Sequence, residues 1–183
     1  MVIVVAAVGV SGSGKTTTIE YLIGKLSAEG YRVGAVKHVH HKGFTMDTEG
    51  KNTWRFAKAG AKTIVAVAPD EVAIIRKTST EYNDFDKVSA LLEGEKLDIV
   101  FIEGLHSLIA KQGDVLKIVT ATDPSGIAET LKGIVEPIIA VSGVAAKTLG
   151  TPDYKGIPII KVPEDGDKLL EIIKKRLDKK TSD

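Results

Sequence analysis

The sequence predicts a three-layer α/β fold in which a mostly parallel sheet carries an antiparallel hairpin at its edge. Three observations lead there. Apolar, β-branched runs such as Val2 to Val8 and Leu97 to Ile102 have no polar alternation, the mark of strands buried on both faces. Between such runs lie helical spacings, as at Ile19, Leu22, Ile23 and Leu26. Two β-rich runs, Lys62 to Ala68 and Val72 to Lys77, are separated only by Pro-Asp-Glu, and so short a link forces antiparallel pairing.

The elements follow in order. Val2 to Val8 is the first strand, GVSGSGKTT the loop after it, and Thr16 to Glu29 a helix closed by Gly30. Tyr31 to Val39 is a second strand, followed by the polar stretch HHKGFTMDTEGKN and a short helix around Thr53 to Ala59. After the hairpin come a helix at Phe85 to Leu92 and a strand at Leu97 to Ile102, closed by Glu103 and Gly104. Further strands are expected at Leu116 to Ala121, Pro137 to Val141 and Ile157 to Val162. A last helix from Asp167 to Leu177 precedes a fraying tail, Lys179 to Asp183. No repeat or linker divides residues 1–183, which are expected to form a single domain.

Composition narrows the function. The formal net charge of +1 gives no global bias toward nucleic acid or an anionic membrane, so neither is expected as a partner. The absence of cysteine removes disulfides, thiolate metal sites and cysteine nucleophiles, and fits a cytoplasmic location. The opening apolar run is too short to span a bilayer. One glutamine, two asparagines and abundant Lys and Glu match the bias of heat-adapted proteins.

The spacing Gly9, Gly14, Lys15, Thr16 fits a phosphate-binding P-loop, and the strand before it and helix after it supply the context that pattern requires. The fold is therefore expected to be of the P-loop NTPase type. In that chemistry backbone amides converge on the phosphates, Lys15 reaches the β- and γ-phosphates, and the Thr16 hydroxyl ligates Mg²⁺. Such a loop needs a carboxylate at the end of a neighbouring buried strand, and Glu103 stands there. Asp98, at the other end of the same run, reads as a surface charge.

Asp47 is a further candidate for Mg²⁺ or its waters, against the alternative of a turn residue. Lys37 and Lys42 either meet phosphate or substrate charge or stand solvated. His38, His40 and His41, three of the four histidines, have spacing for a metal pair but lack the third or fourth ligand of a stable Zn²⁺ site, which favours anion or partner contacts. Trp54 and Arg55 read as an anchor and a surface charge.

The stretches GVSGSGKTT, VKHVHH, MDTEGKNTWRFAKAGA and IVFIEG together resemble the MobB family, the molybdopterin-guanine dinucleotide biosynthesis adaptor proteins. The resemblance covers about the first hundred residues. It implies a homodimer that binds GTP with Mg²⁺, has weak or no turnover alone, and partners a guanylyltransferase that joins GMP to molybdopterin. Contact with molybdopterin or a molybdoenzyme belongs to the same expectation. Carried over by position, Gly12, Ser13, Gly14, Lys15, Thr16 and Thr17 meet phosphate and metal. Glu103 is the second nucleotide motif, with Lys15 and Glu103 as the catalytic pair and Thr16, Glu103 and Asp47 at the metal; His41 is carried over by position as well. The family often reads EGF followed by lysine; here Leu105 and His106 follow Glu103-Gly104, which puts a lysine role there in doubt. No Asn-Lys-x-Asp motif is present to read guanine, so Thr122 and Asp123 are the expected base contacts.

Two other functions fit the same loop. A small-molecule kinase needs an arginine-bearing lid, yet Arg32, Arg55, Arg76 and Arg176 form no cluster in the sequence. A metal-insertion GTPase would use His38, His40 or His41 as a metal relay.

Overall fold

The computed structural model describes residues 2–41, 43–78, 82 and 84–181. Lys42 and the last two residues of the expected tail lie outside the described residues. The chain divides into two compact units, Met1–His38 with Asp84–Asp183, and the insert Val39–Asn83.

The first unit begins with β1 (Ile3–Val8), α1 (Lys15–Ala28) and β2 (Val33–Lys37). The insert holds α2 (Asn52–Lys58), β3 (Thr63–Val67) and β4 (Val72–Arg76). The first unit resumes with α3 (Phe85–Ser89) and a 3₁₀ turn, then β5 (Ile99–Glu103), α4 (His106–Ile109), β6 (Leu116–Thr120) and α5 (Pro124–Leu131). It closes with β7 (Ile138–Ser142), α6 (Gly143–Thr148), the two-residue strands β8 (Asp153–Tyr154) and β9 (Ile157–Pro158), and α7 (Gly166–Thr181).

The main sheet has five parallel strands in the order β2-β5-β1-β6-β7. On one face Val5, Phe101 and Ile118 pack with Leu22 and Leu26 of α1 and Leu169 and Ile173 of α7. On the other, Val4, Val36 and Val100 face Phe85, Val88 and Leu92 across a cavity of about 280 Å³. Covering both faces explains the uninterrupted apolar runs: every residue of β5 and β6 is buried, Lys117 included. The Lys117 stem lies in the core while its ammonium donates to the backbone carbonyls of Gln112 and Val115 in the preceding turn.

The hairpin pairs as expected, Thr63 opposite Arg76 and Val67 opposite Val72. It forms a sheet of its own, so the main sheet is wholly parallel rather than mixed. A three-residue link dictates how two strands pair with each other; it carries no instruction to pair with a third. The expected strand Ile157 to Val162 is reduced to β9 and one parallel bridge from Ile159 to Val141, because Pro158 removes a ladder donor. In α7 the helix runs on past Leu177 to Thr181, across Lys and Asp where fraying was expected; lysine is a good helix former.

Candidate phosphate and metal site

The loop between β1 and α1 is shaped from its own glycines and braced from two later elements. Gly14 has a φ of 92°, a left-handed residue at the start of α1, and no side chain caps the helix there. The first amides of a 14-residue helix thus have no side-chain cap, an arrangement that suits an anion. A Cβ on Gly14 would lie 2.9 Å from Cα of Gly143, itself at φ 75°, so the two glycines permit a close backbone crossing. There the Val144 amide donates to the Ser13 carbonyl at 3.0 Å. Ser13 is fully buried; its hydroxyl donates to the Val10 carbonyl at 2.8 Å and shares a 2.7 Å bond with the Thr120 hydroxyl.

Lys15 folds back over this loop, its Nζ donating to the carbonyls of Gly9 at 3.0 Å and Val10 at 2.6 Å. Burial pushes its ammonium below the ordinary lysine value; Glu103 opposes that push and Lys37 adds to it.

Glu103 ends β5 and is 9% exposed. Strand register sets it in one row with Ala7 of β1 and Lys37 of β2. Thr16 Oγ1 donates to Glu103 Oε2 at 2.9 Å, and Lys37 Nζ forms an ion pair with Oε1. Burial alone raises this carboxyl, but the bonds from Lys37 and Thr16 and the charges of Lys37 and Lys15 outweigh it, leaving Glu103 below the ordinary glutamate range. Asp98, at the opposite end of β5, accepts from the Arg32 amide at 2.7 Å, remote from this corner.

Glu103 and Thr16 are adjacent hard oxygen donors, a set that suits Mg²⁺. Asp47 belongs to the insert, where its Oδ1 accepts from Thr53 Oγ1 at 2.8 Å and its Oδ2 is enclosed without a hydrogen-bond partner among the described residues. His40 and His41 also lie in the insert. Among the described residues no group of three or more His, Asp or Glu side chains is placed to hold a metal ion. Trp54 is half-buried, with the Lys58 ammonium 5.1 Å from its ring centre.

Asp123 caps α5: one oxygen accepts from the amides of Ser125 at 2.9 Å and Gly126 at 3.1 Å, and the other from the Thr122 hydroxyl at 3.1 Å. The Ser125 hydroxyl, then the Gly126 amide, hold its carboxyl below the ordinary range. The capping amides occupy only Oδ1, and Oδ2 accepts from the Thr122 hydroxyl, which leaves it acceptor capacity for a further donor. Thr122 lines a pocket of about 330 Å³ beside the loop, with Gly9, Val10, His106, Ala121 and Thr130. Leu105, where the resemblance has an aromatic residue, is buried at φ 54° and starts α4, which turns His106 into that pocket's wall.

Sequence reasoning missed the bracing residues Thr120 and Gly143. Their signals are a threonine closing one apolar strand and a Ser-Gly step closing another.

A family model described as molybdopterin guanine dinucleotide synthesis protein B, MobB, matches residues 4–141. The chain is 33% identical to the molybdopterin-guanine dinucleotide biosynthesis adapter protein of Escherichia coli over 117 residues, 63% of each chain. It is 36% identical to the adapter protein of Haemophilus influenzae over 96 residues, 52% of this chain and 53% of that one. The matches thus span less than two thirds of these curated relatives' own length. Among solved structures, the crystal structure of Bacillus subtilis MobB superposes with a TM-score of 0.69 at 26% identity, covering 92% of this chain and 96% of that one.

Proposed function

The chain belongs to the MobB family, and from that premise we propose that it is a GTP-binding adapter in the attachment of GMP to molybdopterin, with weak or no turnover of its own. The observation that carries this reading is the Thr16 to Glu103 hydrogen bond, which joins the first turn of α1 to the end of β5 at the mouth of the loop. The relatives' names supply the adapter role.

In this reading the amides of Gly12, Ser13 and Gly14 and the Lys15 ammonium take the β- and γ-phosphates, and Thr17 adds a hydroxyl in the first turn of α1. Thr16 and Glu103 hold Mg²⁺, and Asp47 is a further carboxylate for it. When bound, Mg²⁺ neutralises charge on the phosphate oxygens. Weak turnover fits the part Glu103 has in this reading: a carboxylate that accepts from Thr16 and is engaged with Mg²⁺ is a poor base toward water. Guanine contacts at Thr122 and Asp123, a homodimer, a guanylyltransferase partner, contact with molybdopterin or a molybdoenzyme, one domain over residues 1–183 and a cytoplasmic location complete the proposal. Among the described residues no helix is long and apolar enough to cross a membrane.

The test is the rate of GMP attachment by the cognate guanylyltransferase with and without this chain. Wild type is expected to raise it in the presence of GTP and Lys15→Ala to fail. Equal stimulation by both would contradict the proposal.

A further inference from the structure

One ammonium, that of Lys37, closes on the Glu103 carboxylate at the mouth of the loop, while that of Lys15 donates to the Gly9 and Val10 carbonyls nearby. Lys15 is close enough to Glu103 and Lys37 for each to influence its charge. A corner made of one lysine and one carboxylate is neutral and relies on a metal to attract a triphosphate. Here the balance is positive. The Lys37 contact is also built into the fold, because parallel register between β2 and β5 sets Lys37 opposite Glu103, and the His38 amide donates to the Glu103 carbonyl at 2.9 Å just beyond. The Lys37 side chain is 54% exposed against 11% for Glu103, so the carboxylate is fixed and the lysine is the member free to leave.

Resting on the nucleotide-binding reading, we propose that Lys37 is a tethered cation that competes with Mg²⁺ for Glu103. The site then takes up a nucleoside triphosphate in part without metal, and Mg²⁺ engages Glu103 by displacing Lys37. The Thr16 hydroxyl keeps its bond to the second oxygen throughout, so only Oε1 changes partner. Lys37, once displaced, stays on its strand end as a second cation for the phosphates.

The experiment is calorimetric titration with a non-hydrolysable GTP analogue, in EDTA and across a Mg²⁺ series, for wild type, Lys37→Met and Lys37→Arg. Wild type and Lys37→Arg are expected to bind in EDTA, with Lys37→Met about tenfold weaker there, the loss of one charge-assisted contact. Lys37→Met is expected to reach half of its Mg²⁺ effect at about tenfold lower Mg²⁺ than wild type, since nothing competes for Oε1. Unchanged binding in EDTA, or an equal or higher Mg²⁺ requirement in Lys37→Met, overturns the proposal. Lys37→Gln repeats the comparison if Lys37→Met does not fold by circular dichroism. Absence of binding by wild type even in saturating Mg²⁺ would instead overturn the nucleotide reading, which keeps the two failures apart.

Discussion

Strands β5 and β3 have five residues each and draw on the same apolar vocabulary, yet they end in opposite states. All of β5 is buried, whereas β3 buries Ile64 and leaves Val65 and Val67 exposed, as β4 leaves Val72 and Ile74. What differs is the company: β5 has a strand on each side and covered faces, and β3, among the described residues, pairs with the single strand β4. A side chain ending a strand of the first kind has its position set by register before any ligand arrives. Glu103 is such a residue. Asp47, His40 and His41 lie in the insert, where Asp47 is held by local bonds such as that from Thr53.

Truncating one side chain in each sheet puts this contrast at greatest risk. Phe101→Ala, fully buried in β5, is expected to cost about 3–5 kcal/mol in urea unfolding. At the other extreme, Val67→Thr in the hairpin is expected to stay within about 0.5 kcal/mol. A comparable loss at Val67 would mean that the exposed hairpin face is covered in solution.

Next in size is the loop lysine. Lys15→Ala should weaken GTP binding by at least about tenfold with the unfolding curve preserved, because charge-assisted bonds contribute about 1.5–3 kcal/mol each. Smaller is the brace: Thr120→Val removes the hydroxyl that meets Ser13, at about 1 kcal/mol of stability, and should lower nucleotide affinity through the loop.

A pH series isolates the carboxylate whose place is set by register. The folded pKa of Glu103 is lowered, so its contribution is fully present above the ordinary glutamate value of 4.5 and is lost as pH falls through the folded value. The stability difference between wild type and Glu103→Gln should therefore be constant at neutral pH and shrink in acid below 4.5. A difference that grows in acid would reverse the assignment.

The parts legible in the sequence are those whose signal is local. Gly12 to Thr16 sit between an apolar run and a helical period, and Glu103 ends another apolar run, so both positions follow from neighbours in the chain. What was not legible depends on distant pairing or on elements too short to be periodic. Thr120 and Gly143 meet Ser13 only because β6 and β7 follow β1 in the sheet order. Helices α4 and α6, of four and six residues, offer too few turns for an apolar stripe. Asp123 carries a signal with a nearer meaning than base recognition, since Asp followed by Pro is a helix start and its carboxylate caps α5. The separate hairpin sheet was hidden because alternation states which side chains share a face and leaves the third partner unstated.

The nucleotide reading of this chain rests on the corner of Lys15, Thr16 and Glu103 binding a magnesium nucleotide, guanine preferred. Calorimetric titration of the purified chain with non-hydrolysable GTP and ATP analogues in Mg²⁺ puts that to the proof. Saturable binding is expected, tighter for the GTP analogue and lost in Lys15→Ala. Tighter binding of the ATP analogue would contradict the guanine assignment, and binding of neither would contradict the site itself.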